Sequence, residues 1–67
     1  MKLNGIYKVK HDRKGYFTMR VLKEDETWVK GVIVEGRADA MLDYNIKGEG
    51  EKITVKKSLA IFTEVEV

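Results

Sequence analysis

The sequence predicts an all-β domain of five short strands, and three observations carry that prediction. Apolar and polar side chains alternate with period two over residues 6–10, 16–21 and 52–56. Polar or glycine-containing turn signals separate these runs at 11–15, 23–26 and 48–50. Between them lies a long run from Thr27 to about Glu35, rich in the β-branched and aromatic types that suit a pleated surface.

The first strand is read as Ile6 to Lys10, with Tyr7 and Val9 on one side and Lys8 and Lys10 on the other. His11-Asp12-Arg13-Lys14-Gly15 follows as a polar turn in which His11 is expected to be solvent-exposed and Gly15 to supply a positive φ. In the second strand Phe17, Met19 and Val21 point one way and Tyr16, Thr18 and Arg20 the other. Lys23-Glu24-Asp25-Glu26 reads as a solvated loop tip, since four consecutive charges resist burial. The third strand carries apolar groups on both faces: Trp28, Val32 and Val34 on one, Val29, Gly31 and Ile33 on the other. That pattern suits a long bent strand serving two sides of a small closed sheet, with Gly31 at the bend.

Beyond Gly36 the β-branched residues stop, and Ala38, Met41 and Leu42 fall at helical spacing, so a short helical or loop insertion is expected over residues 38–44. Ile53 and Val55 then alternate with Lys52, Thr54 and Lys56 in a fourth strand. Leu59 and Phe62 bracket a tight helical turn before a closing strand from Ile61 to Val65. The core is expected to share Trp28, Ile33, Val55 and Phe62, with Trp28 as a core or rim anchor.

With 67 residues, 43% hydrophobic and neither cysteine nor proline, the chain has material for one thin-cored domain. Disulfides and thiolate metal sites are excluded by composition. The longest uninterrupted apolar run is Leu59-Ala60-Ile61-Phe62, so no spanning helix is expected, and no apolar stretch of leader type follows Met1-Lys2-Leu3. Cytoplasmic residence is the expectation. No internal repeat or linker divides the chain, which is read as one domain over residues 1–67.

Five short strands, a long bent one in the middle and a serine-containing turn between the last two make an order that resembles an SH3-like small barrel, the form of SH3, Tudor and KOW domains. Closing the sheet also answers the exposed-edge problem of a chain without proline. The stretches Tyr7-Lys8-Val9-Lys10-His11, Arg13-Lys14-Gly15 and Thr27 to Gly36 resemble small uncharacterised proteins of bacteriophages and prophages. The resemblance implies a viral accessory or structural product working in the host cytoplasm, and no activity.

One histidine and no cysteine leave few ways to assemble a hydrolytic or acid–base centre, and Gly48-Glu49-Gly50 lacks the further glycine, helix and lysine of a phosphate loop. A non-enzymatic protein without cofactor or metal is expected. Charge distribution is the more informative feature. Residues 1–23 hold seven cations against one carboxylate, a charge of +6, while residues 24–67 hold six against ten, a charge of −4, within a net +2. The first hairpin is thus a basic arm on an acidic body. Lys8, Lys10, Arg13, Lys14 and Arg20 supply charge and Tyr16 a stacking or packing face. A protein partner docking on this hairpin is the first expectation. Nucleic acid using the same basic and aromatic groups is the alternative. The chain is expected to be a monomer or a weak homo-oligomer.

Overall fold

The computed structural model describes residues 1–38 and 48–65. Its elements, in chain order, are β1 (Ile6–His11), β2 (Gly15–Glu24), β3 (Trp28–Gly36), β4 (Lys52–Lys56), a 3-10 turn (Lys57–Leu59) and β5 (Ala60–Glu64). All five strands join one antiparallel sheet in the order β4-β3-β2-β1-β5. The all-β expectation and its strand sequence therefore hold. The insertion expected over 38–44 lies outside the described residues, apart from Ala38, which is buried.

Each turn has a local chemical cause. Gly15 takes a φ of 82° where the β1–β2 hairpin closes, a backbone state costly for any residue with a Cβ. In the β2–β3 turn the Asp25 carboxylate accepts from the amides of Thr27 and Trp28 at 2.8 and 2.7 Å, the local side-chain mimicry of a turn that favours aspartate. Those two amides hold the Asp25 carboxyl below its usual range, Trp28 first. Before β4, Glu51 accepts from the Gly48 amide at 2.8 Å.

β4 and β5 are the two edges of the sheet, yet only the 3-10 turn connects them. Four residue steps reach at most about 14 Å, whereas the edges of a flat five-stranded sheet stand roughly 19 Å apart. The sheet must coil so that the Lys56 end of β4, beside Trp28, comes near the Ala60 end of β5, beside His11. Lys57 in the turn pairs with Glu24 at the end of β2, and the Asp12 amide donates to the Leu59 carbonyl at 3.0 Å. Among the described residues β4 and β5 do not pair, so the ladder is curled but open.

The concave side holds the core. Val9 and Tyr7 of β1, Phe17, Met19 and Val21 of β2, Val29 and Ile33 of β3, and Ile53 and Val55 of β4 are buried, with Ala60 and Phe62 of β5 packed against them. Ile33, Val55 and Phe62 thus take the places expected of them. Trp28 does not: it is 42% exposed, on the opposite side of β3 from Val29. The central strand turns its Val29–Gly31–Ile33 side inward, and Trp28 shares the other side with Lys30, whose charge would be costly to bury.

Two β-bulges shape the β2–β3 pair. Thr18 faces Glu35 but Met19 faces Ile33, leaving Val34 as an extra residue, and Val21 faces Gly31 but Lys23 faces Lys30, leaving Leu22 as another. Strict alternation would send Glu35 inward beside Ile33 and Lys23 inward beside Val21. Each bulge flips the following residues to the other face and so keeps a charge out of the core. One of the two register shifts, between Val21 and Lys23, lies beside Gly31, where a kink or bulge is expected. Gly31 itself serves close packing, because β2 crosses where its Cβ would stand.

Candidate functional site

The register maps the convex face of the sheet row by row. The first row is Ile61–Lys10–Tyr16, the second Thr63–Lys8–Thr18–Glu35, and the third Ile6–Arg20–Val32–Lys52. The fourth is Lys23–Lys30–Thr54 and the last is Trp28–Lys56. Every row contains a cation. Six of them, Lys8, Lys10, Arg20, Lys23, Lys30 and Lys56, are exposed and in no ion pair among the described residues. Lys52 has a contact of its own and is left out of that count. Glu35 is the one carboxylate that the register puts on this face among the described strand residues.

The sequence-predicted residues divide into two groups. Lys8, Lys10, Tyr16 and Arg20 come together on the convex face, as antiparallel pairing requires. The Lys10 ammonium stands 5.9 Å from the centre of the Tyr16 ring, within cation–π range. Arg13 and Lys14 sit in the hairpin turn, past the first row and off the sheet face. Segment-wise charge counting missed Lys30 and Lys56, which β3 and β4 bring round to the same face. It also missed Trp28, at the far end.

The other carboxylates among the described residues of the second segment lie elsewhere. Asp25 and Glu26 occupy the β2–β3 turn, and Glu49 and Glu51 precede β4. Glu24 is in register with buried Val29 and so faces the inner rim. There Lys57 first, and the Met1 amino group second, hold its carboxyl below the usual range. Glu64 is in register with Tyr7 and pairs with Lys2 at 3.2 Å.

Beside Tyr16 the convex face dips into an open depression of about 360 Å³ lined by Lys8, Lys10, Tyr16, Thr18, Ile61 and Thr63, with Glu35 and Gly36 at its β3 rim. Tyr16 is 72% exposed and Ile61 65%. The depression therefore offers an aromatic face, the aliphatic Ile61 side chain, two threonine hydroxyls, two ammonium groups and the Glu35 carboxylate to whatever enters it.

His11 departs from the exposed turn residue expected. It continues the inward series of Tyr7 and Val9, is 6% exposed, and accepts the amides of Arg13 and Lys14 on Nδ1 at 3.0 and 3.1 Å. Two donors on Nδ1 require the neutral ring with its proton on Nε2. Burial first, and then the charge of Lys14, lower its pKa from 6.5, with Asp12 opposing and Arg13 adding to the shift. The unfolded chain therefore binds more protons, so this contribution to stability is complete above pH 6.5 and lost as pH falls below it. The urea-unfolding midpoint is expected to drop between pH 7.5 and 5.5, a window above the ordinary pKa values of Glu24 and Asp25, 4.5 and 3.8. In His11→Asn, which keeps an acceptor near Nδ1, the midpoint should stay flat across that window; an equal drop in this variant would assign the effect to another group.

Among the described residues no group of three or more His, Cys, Asp or Glu side chains is placed to hold a metal ion. No helix there is long and apolar enough to cross a membrane. Protein-family models, curated proteins and solved structures give no match to the chain.

Proposed function

We propose that this chain is a small non-enzymatic binding module of SH3-like barrel form, a phage accessory protein of the host cytoplasm, that docks a polyanion on the convex face of its sheet. The barrel reading is supported by the strand order, with β5 beside β1, and by the short 3-10 turn that draws the β4 and β5 edges together. The observation that carries the binding reading is one cation in every row of that face, six uncompensated cations against Glu35.

Two partner classes suit such a surface, and lysine content decides between them. Five of the six cations are lysines. Protein–protein interfaces are depleted in lysine and enriched in arginine, whereas a phosphate backbone is met by lysine as a point charge. Nucleic acid is therefore favoured over the acidic protein partner that the first hairpin alone suggests. The test is titration of fluorescein-labelled oligonucleotides at two salt concentrations. Affinity should fall with a log–log slope of about −3 to −4 if five or six phosphates are neutralised. Absence of binding to any oligonucleotide at low salt rejects the nucleic-acid reading.

A further inference from the structure

We propose that the depression beside Tyr16 is a seat for an unpaired base, so that the convex face takes a single strand in preference to a duplex. The inference rests on the nucleic-acid reading above and adds to it a strand class, a path and an anchoring residue.

The shape of the face argues against a duplex held through its major groove. To read that groove, a protein inserts a helix or a free two-stranded ribbon. Here β1 and β2 cannot act as a free ribbon, because β5 flanks one and β3 the other. Of that hairpin, the turn at residues 12–14 alone extends beyond the strands.

The features of the first row are instead those of a stacking platform. Tyr16, at the β2 end of the first row, leaves its phenol ring 72% exposed in the same row as Ile61, itself 65% exposed, so the two offer one open apolar surface. Lys10 approaches the same ring, and Ile61 and Thr63 supply the adjoining wall. A base laid on Tyr16 would bury the ring and the exposed Ile61 side chain while its phosphates meet Lys8 and Lys10. Stacking on an aromatic face needs an unpaired base, since both faces of a base within a duplex are already occupied.

The rows also define a path. Successive rows lie two or three residues apart along the strands, and since only four residue steps link Lys56 of the last row to Ala60 beside the first, they follow the curved outer surface of the coiled sheet and not a straight line. Lys10, Lys8, Arg20, Lys23 with Lys30, and Lys56 follow one another along it. A flexible polyanion that follows this curve meets a cation at each step. Trp28, 42% exposed, closes the far end as a second ring for a base.

The experiment compares a labelled oligothymidylate of about a dozen nucleotides with a duplex of the same length and with poly-glutamate, on wild-type protein, Tyr16→Ala and Tyr16→Phe. The single strand should bind tighter than the duplex. Tyr16→Ala should weaken the single strand by about 5-fold to 150-fold while leaving both its salt slope and duplex binding unchanged. Tyr16→Phe should restore affinity, because the stacking face and not the hydroxyl is used. Circular dichroism checks that the variants fold, as expected for so exposed a side chain. Equal loss on duplex and single strand, or no loss on either, overturns the base seat but leaves the nucleic-acid reading standing. Failure of every oligonucleotide to bind at low salt removes that reading as well. Poly-glutamate binding as tightly as oligothymidylate, and indifferent to Tyr16, overturns the base seat in favour of an acidic protein partner.

Discussion

Replacing Gly31 by alanine is expected to be the most damaging single methyl group that can be added to this fold. A Cβ there would overlap the carbonyl oxygen of Arg20 and come within 2.8 Å of the Met19 Cε. Met19 could swing aside, but the carbonyl belongs to the neighbouring strand and moves only if β2 and β3 part. Overpacking that forces backbone shifts costs about 1–3 kcal/mol and sometimes more, and the upper end applies where the obstacle is backbone. The total stability of a 67-residue chain is on the order of 3–10 kcal/mol. Gly31→Ala should therefore lose about 3 kcal/mol, or melt about 12 °C or more below wild type.

Gly36→Ala is the informative comparison. Its φ of +81° is strained for alanine, but the nearest atoms to a Cβ there stand at an ordinary 3.5 Å, so the cost should be about 1–2 kcal/mol. A Gly31→Ala variant no less stable than Gly36→Ala in urea unfolding would overturn the close approach of β2 to β3.

How much of this was legible in the sequence depends on which strand is considered. In β1, in β4 and in β2 as far as Val21, period two alone places the residues correctly. β3 has apolar groups on both sides, so alternation cannot say which faces the core. The deciding residue is Lys30, which shares a side with Trp28 and sends it to solvent. His11 was misplaced because its charged neighbours outweighed its position two residues beyond Val9, which is the signal that puts it inside. The bulges left a trace too: Lys23 and Glu35 fall on the inner side if alternation is unbroken, and a charge aimed at the core is itself a hint of an inserted residue.

The candidate site was legible only in its first half. A charge count by chain segment finds the +6 of residues 1–23 because its seven cations fall within one short stretch of sequence. Lys30 and Lys56 join it through the β2–β3 and β3–β4 registers. No local pattern announces a register between strands that are distant in the chain. Among the described residues, every carboxylate of the second segment except Glu35 lies in a turn or at the inner rim, so the segment total of −4 does not show the basic surface.

That redistribution gives the second large effect. Lys8→Gln, Lys30→Gln and Lys56→Gln combined remove three cations drawn from three strands, none buried and none in an ion pair among the described residues. Each phosphate contact on a single strand contributes about 0.7 to the log–log salt slope, so the slope should flatten by about 2. If the non-electrostatic part of binding is unchanged near 1 M salt, that slope implies weakening on the order of several hundredfold at about 50 mM salt, narrowing to roughly thirtyfold at about 200 mM. The convergence with salt is the discriminating feature, since a misfolded variant would bind poorly at every concentration. Arg13→Gln with Lys14→Gln removes two charges at the hairpin turn, past the first row, and should flatten the slope by less than about 0.7, the share of one contact. An effect of the turn pair equal to that of the triple variant would place the contact at the hairpin tip and take it off the sheet face.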